Sequence, residues 1–374
     1  MAPKKILLVH LVSNGDCLMA TTVARQIKAD FPGCHLTWAI SYKCKQAIEN
    51  NPFVDTIWSI EYAANESPVD EVWYRTKQDA ERRKAAGEFD EVYYTQMFPH
   101  NVGNFDGTTR TSLFRSYPRP ITVPVQPTLR LHDHETERVR GFAAQHALDK
   151  YRKVVLFECA PGSSQSSLSP EIAIRVATRV LADHGDAAFI ISSHHSFSSP
   201  APNIIDGSSL SLRENAELSN YCTLLLGCSS GITWLLTSTA AKTIPTIQFL
   251  GGPATSWYSF ASVKYDHRFF GLDANHVLET AVSGEAEMAD LVTRYLTQGT
   301  FAGLAESTFV PSIHQIHDLY RMLGHRTPLR RVIRNFAERN RDVEIDKVAL
   351  YRGLAEIMLR QQVRAVLRKI GAHR

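Results

Sequence analysis

The chain has 374 residues, 44% of them hydrophobic and 21% charged, with a formal net charge of +3. This composition excludes a largely disordered, collagen-like or low-complexity chain, and the length suggests two domains. The longest apolar runs, such as Ile6 to Val9, are far shorter than the roughly 18 residues a membrane-spanning helix needs.

Lys4 and Lys5 precede the run ILLVHLV, which mimics a signal peptide. The run is short, Asn14-Gly15-Asp16 follows it, and no small-residue cleavage site closes it. We read Lys5–Val12 as a buried first strand and expect a cytoplasmic protein. Cys17–Asp30 follows as a helix ended by Phe31-Pro32-Gly33. His35–Ile40 is a second strand, Lys43–Asn50 a short helix, Thr56–Glu61 a third strand, Val69–Ala86 a charged helix and Glu91–Gln96 a fourth strand. This alternation predicts a parallel sheet with right-handed crossovers. From Phe98 to Pro127 the pattern dissolves into polar loop, and His132–Leu148 is a helix leading to a second domain.

The rhythm then restarts. Val154–Cys159 is a strand, Pro170–His184 a helix, Ala187–Ser193 and Asn203–Asp206 strands, and Leu212–Asn220 a helix. Cys222–Cys228 is a strand, Ile232–Ala241 a helix and Pro245–Leu250 a strand. Three strand ends of this half run into small-residue loops, where open α/β sheets hold ligands. Neither a Gly-rich dinucleotide fingerprint nor a P-loop is present.

From Arg326 to Arg374 the chain holds 13 Lys and Arg against 5 Asp and Glu, a net of +8, which leaves the preceding 325 residues at −5. Apolar residues recur there at helical spacing, among them Leu350, Leu354, Ile357, Val363 and Leu367, with Arg360, Arg364 and Arg368 between them. Such a cationic amphipathic helix suits either an anionic surface, including peripheral contact with a membrane, or the outer face of a packed helix. Nucleic acid is not expected as a partner, because no recognition motif accompanies the small overall charge.

Several residues are placed for chemistry. Asp16 follows a glycine at the end of the first strand and opens a helix, so it suits a general base whose pKa the helix terminus lowers. Spacing alone favours the simpler role of helix N-cap. Ser229-Ser230-Gly231 and the serines 163, 164, 166 and 167 form turns that suit an anion or merely cap helices. The six cysteines are scattered without metal spacing and read as small buried hydrophobes, and no metal site is expected. The adjacent His194 and His195 point apart on an extended chain, which disfavours a shared metal.

The opening KKILLVHLVSNGDCLMATTVARQIKADFPGCHLTWAIS, followed by ENNPFVDTIWSI, resembles the N-terminal half of glycosyltransferase family 9, the heptosyltransferase-like enzymes. ECAPGSS…SPEIAIRVATRVL and LSLRENAELSNYCTLLLGCSSGITWLLTSTAAKTIPTIQFLGGP resemble its second half in the same order. The resemblance covers residues 4–60 and 154–253 and marks a diverged member. It implies an α/β chain of the GT-B fold: an acceptor-side Rossmann-like domain over residues 1–150, a donor domain over 151–300, and a helical basic extension over 301–374.

The implied reaction is a metal-independent, cofactor-free, inverting hexosyl or heptosyl transfer from a nucleotide sugar, an ADP-sugar favoured, to a lipopolysaccharide precursor or other cell-surface glycan or glycolipid. Asp16 falls on the catalytic aspartate. Asn14 and Gly15 fall on the acceptor side, and Ser163, Ser164, Ser167, Ser229, Ser230, Gly231, Ile232, Thr233 and Gly252 on the donor side. The resemblance places the leaving diphosphate at the helix start Ser230-Gly231. The family's phosphate-binding lysine is absent from Ser166–Ser169, its aspartate in the later turn reads Ser229, and its histidine reads Trp234. Arg175 or a tail arginine is the expected replacement for the lost cation. The alternatives are a nucleotide-sugar epimerase and a non-catalytic nucleotide-sugar-binding protein.

Overall fold

The computed structural model describes residues 2–104, 109–161, 166–251 and 262–309, and seven isolated positions between 334 and 363. The chain forms two α/β domains, each built on a parallel sheet. The first sheet holds β1 (Lys5–Val9), β2 (His35–Ser41), β3 (Thr56–Ile60) and β4 (Glu91–Tyr94), with α1 (Asn14–Asp30) and α2 (Glu71–Ala85) among its crossovers. Its strand order is β3-β2-β1-β4. The short α3 (Thr109–Arg115) and then α4 (Asp133–Gln145) follow.

The second sheet holds β5 (Lys153–Glu158), β6 (Ala187–Ser192), β7 (Ile204–Asp206), β8 (Leu224–Gly227), β9 (Thr246–Phe249) and β10 (Val277–Thr280), in the order β10-β9-β8-β5-β6-β7. Its helices are α5 (Pro170–Asp183), α6 (Glu214–Leu218), α7 (Gly231–Leu235), α8 (Val263–Phe270) and α9 (Glu285–Gln298). All registered neighbours in both sheets are parallel.

The apolar runs explain the layering. A strand covered on both faces must be apolar at every position. In β1, Ile6 and Leu8 join the core around α1, while Leu7 and Val9 pack with Val72 and Trp73 of α2. In β5, Val154 and Leu156 face the core shared with α1, and Val155 and Phe157 face Ala173, Val176 and Val180 of α5. The N-terminal apolar run is therefore a core strand, as its patterning requires. β1 lies between β2 and β4, and β5 lies between β8 and β6, so strand order reverses at each. In open α/β sheets the crevice beyond such a strand's carboxyl end is where ligands sit.

The two-sheet arrangement is that of the GT-B fold, and the differences from expectation are local. Lys43–Asn50 holds only a 3-10 turn, Lys45–Ala47. Ile232–Ala241 was expected as a helix, but α7 ends at Leu235. Its following residues bond sideways instead: the Thr237 hydroxyl donates to the Trp234 carbonyl, and that of Thr239 to the Leu129 carbonyl in the crossing segment. Short hydroxyl side chains compete with the helical ladder in this way. The stretch read as loop from Phe98 to Pro127 contains α3. Of the extension expected as helical over 301–374, residues 301–309 are turn and coil rather than helix, and the rest lies outside the described residues apart from the isolated positions, which are helical and exposed.

Candidate functional site

A cleft of about 670 Å³ opens where the carboxyl ends of β1 and β5 face each other, a volume typical of small-ligand sites. From the first domain it is lined by Ser13, Asn14, Gly15, Asp16, Phe98 and Arg110. From the second it is lined by Glu158, Ser192, Ser193, His194, Ser208, Ser211, Ser229, Ser230, Gly231, Ile232 and Trp234, among others. The two helix starts nearly touch across it. A Cβ on Gly231 would lie 3.7 Å from Asn14 Cβ, and one on Gly15 would lie 2.9 Å from Trp234 Cδ1. Glycine is therefore required at position 15 by the indole of the opposite domain. Ser13 (φ 71°), the N-cap of α1, and Ser229 (φ 53°), one residue before the N-cap of α7, both hold positive-φ backbone. Strain of this kind costs roughly 1–3 kcal/mol per residue and concentrates at functional sites.

Asp16 is not the N-cap. Ser13 occupies that position, and Asp16 is the third residue of α1, with its side chain 17% exposed. Its nearest charged partner is Arg110, Nε lying 3.5 Å from Oδ1. Burial raises the Asp16 pKa and outweighs the opposing pull of the arginine. The lowered pKa expected from the helix terminus is thus reversed, because loss of water is the larger effect here. Beside it, the Asn14 amide oxygen is buried without a hydrogen-bond partner among the described residues.

The second domain's turn is arranged differently from expectation. Glu158, the last residue of β5, reaches under the start of α7. Its carboxylate accepts from the amides of Ile232 (2.7 Å), Thr233 (3.2 Å) and Cys228 (3.2 Å), from the Thr233 hydroxyl (2.6 Å), and at 3.4 Å from the Ser230 amide. The Ser229 amide donates to Gln248. Glu158 thus takes several of the donors at the start of α7, including the Ser230 amide, which the sequence reading of Ser230-Gly231 as a phosphate cradle did not foresee. Ser229, Ser230, Gly231 and Ile232 do line the cleft, whereas Thr233 turns away and borders a separate cavity of about 20 Å³. A similar plug recurs at α8, where Glu279 of β10 accepts from the Ser262 hydroxyl and the Val263 and Lys264 amides, and burial raises its pKa to about 7.

Arg110, on α3, lines the cleft and is a residue that sequence patterning missed. Its guanidinium carbon stands 4.2 Å from the Trp234 ring centroid, and Nη1 is 3.7 Å from Asp266 Oδ2. The segment around it shows no helical period, so nothing local marks it. Glu158 carried a readable signal: a lone acid inside the apolar strand KVVLFE must have buried partners. Arg213, also missed, is buried outside the cleft lining. It donates five hydrogen bonds: to both Glu135 oxygens and to the carbonyls of Gln46, Glu49 and Arg130, which ties the second domain to the first.

Of the other expected site residues, Ser163, Ser164 and Gly252 lie outside the described residues. Ser167 is exposed and is not part of the cleft lining. Arg175, the expected replacement cation, is paired with Glu285 of α9 through bonds of 2.9 and 2.7 Å on an exposed face, so it does not serve the cleft. His194 lines the cleft and its neighbour His195 does not. All six cysteines are buried and unbridged, in line with their reading as small hydrophobes. Among the described residues no group of His, Cys, Asp and Glu is arranged to hold a metal, and no helix is long and apolar enough to cross a membrane.

No family model and no curated protein matches the sequence. Solved structures similar to the chain include a family 9 glycosyltransferase from Veillonella parvula, with 15% identity over 86% of this chain and 97% of that one and a TM-score of 0.48. They also include ADP-heptose LPS heptosyltransferase II of E. coli, with 13% identity, 78% and 97% coverage and a TM-score of 0.49. The S. aureus protein MnaA in complex with UDP is similar at 9% identity, with 87% and 99% coverage and a TM-score of 0.49. Likeness at this level transfers neither ligand nor chemistry to this chain.

Proposed function

We propose that the cleft transfers a sugar from a nucleotide sugar to a hydroxyl acceptor, with Asp16 as general base. The observation that carries this reading is the position of Asp16: at the reversal point of the first sheet, lining the cleft, opposite the second domain's turn, with its pKa raised by burial. A carboxylate of raised pKa is better matched to taking a proton from a hydroxyl than an ordinary one. In the step, the acceptor oxygen bonds to the anomeric carbon as its proton passes to Asp16. The bond from that carbon to the phosphate oxygen breaks, and the nucleoside diphosphate leaves with the electron pair. The transition state is oxocarbenium-like, as in other glycosyl transfers. The sequence resemblance supplies the rest of the proposal: a metal-independent reaction in the cytoplasm, an ADP-sugar as the favoured donor, and a cell-surface glycan or glycolipid precursor as acceptor.

A second reading, a nucleotide-sugar-binding protein without turnover, draws on Glu158, because the second domain's turn carries an anion where a transferase would hold phosphate. One experiment separates the two. The protein is unfolded thermally with ADP-, UDP-, GDP- and CMP-linked sugars in the presence of chelator. The donor that binds is then incubated with a glycolipid extract, and nucleoside diphosphate release is followed. A ligand at about 100 times its Kd adds roughly 2.7 kcal/mol of stability. The transferase reading predicts a shift for one base and a release rate that falls about 10²- to 10⁴-fold in Asp16→Asn. A shift with the donor left unchanged supports the binding protein, conversion of the donor into an epimeric nucleotide sugar without any acceptor supports an epimerase, and no shift with any sugar overturns the proposal.

A further inference from the structure

Three uncharged side chains that line the cleft hold buried polar atoms with no hydrogen-bond partner among the described residues. They are Oδ1 of Asn14 from the first domain, and Oδ1 of Asn215 and Nε1 of Trp234 from the second. Asn215 is 2% exposed and Trp234 1%. Polar groups buried to this degree are nearly always hydrogen-bonded, so each orphan calls for an explanation. The three gather around Gly231. A Cβ there would lie 3.7 Å from Asn14 Cβ and 3.3 Å from Leu212 Cδ1. Asn215 follows Leu212 by three residues, and its backbone amide donates to the Leu212 carbonyl. Trp234 follows Gly231 by three residues, and its Cδ1, the atom bonded to Nε1, is the one that leaves no room for a side chain at Gly15. The Asn215 carboxamide has a fixed orientation, because its Nδ2 donates to the Ser211 carbonyl at 2.8 Å. What it has left is an acceptor.

We propose that Asn215 and Trp234, with Asn14 from the other domain, bind the hydroxyl groups of a sugar ring beside Asp16. This rests on the reading of the cleft as a nucleotide-sugar site and names the residues that recognise the sugar. The chemistry of the orphans selects the ligand: they are two acceptors and one donor. Ionised phosphate oxygens only accept, so they could use Trp234 alone. The amino group of a nucleotide base is a donor and could use the asparagines alone. A hydroxyl both donates and accepts, so neighbouring hydroxyls of one ring satisfy all three. Ring hydroxyls donate to the two amide oxygens, and one of them accepts from the indole N–H.

The location ties these contacts to the reaction. Trp234 stands against Gly15, the residue before Asp16, so a ring held here lies next to the base. Two sugars meet at Asp16 in the proposed step, the one being transferred and the one that accepts it. Their hydroxyls are chemically alike, and the experiment separates the two sources.

The test is calorimetric binding of ADP-glucose, UDP-glucose and GDP-mannose, and of ADP, UDP and GDP, to the wild type, Asn215→Leu and Trp234→Phe with chelator present. Nucleoside diphosphate release is measured in parallel over a dilution series of the glycolipid extract. If the ring is the transferred sugar, one nucleotide sugar binds the wild type more tightly than its own diphosphate. Each variant then weakens that nucleotide sugar roughly 3- to 10-fold and leaves the diphosphate unchanged. If the ring belongs to the acceptor, donor affinity is unchanged and the amount of extract that gives half-maximal release rises by a similar factor. Leucine is close to asparagine in volume and phenylalanine keeps an aromatic ring; should one variant not fold, the other carries the test. Variants that match the wild type in both donor affinity and extract dependence overturn the role of Asn215 and Trp234 and leave the nucleotide-sugar reading intact. An equal loss for a nucleotide sugar and its diphosphate also overturns it, because it places the pair at the nucleotide. Failure of the wild type to bind any of these nucleotides overturns the nucleotide-sugar reading and this role with it.

Discussion

The two domains hold their buried charges in different ways. On the second domain Glu158 is surrounded by donors of its own domain, Glu279 is plugged into the start of α8, and Arg213 has all five N–H groups bonded. On the first domain Asp16 and Arg110 face the cavity, and the contact between them is 3.5 Å long. A buried charge surrounded by fixed protein donors is committed to the architecture, since removing a partner leaves an uncompensated ion. Asp16, by contrast, lines the cavity, where a ligand would reach it.

The largest expected effect on this comparison is the loss of turnover in Asp16→Asn. Next comes Arg213→Ala, which should destabilise the protein by about 3–5 kcal/mol in urea or thermal unfolding, because it strands the Glu135 carboxylate and three carbonyls. If Arg213→Ala instead left stability unchanged and weakened nucleotide binding, the division into committed and available charges would break. Glu158→Gln sharpens the comparison further. It should cost roughly 1–3 kcal/mol of stability, since an amide NH₂ group would face the amides of α7. At a temperature where the variant is folded it should lower turnover far less than Asp16→Asn. A folded, equally stable Glu158→Gln without turnover would instead assign Glu158 to the chemistry.

What was legible in the sequence follows from how local each signal is. The strand rhythm and the Gly15-Asp16 turn are written in a few adjacent residues, and the structure places Asn14, Gly15, Asp16 and Ser229 to Ile232 on one cleft. The place of Glu158 under the start of α7 was not legible, because it comes from another strand some seventy residues earlier. Arg110 was hidden for a similar reason: α3 is only seven residues long, and its importance arises from Trp234 and Asp16, neither of which is near it in the chain. The pKa of Asp16 was misread because helix position is visible in a sequence, whereas the burial that outweighs it is a property of the assembled cleft.

The most direct test of the account is the pH dependence of nucleoside diphosphate release from the bound donor, with a glycolipid extract as acceptor. A base acts only when ionised, so a raised pKa moves the rise in rate to higher pH. The account predicts a rate that climbs with pH through a midpoint above the ordinary carboxylate range, and a climb that disappears with the residual rate in Asp16→Asn. A wild-type profile that is flat across that range, or an Asp16→Asn variant with the same profile as the wild type, would contradict it.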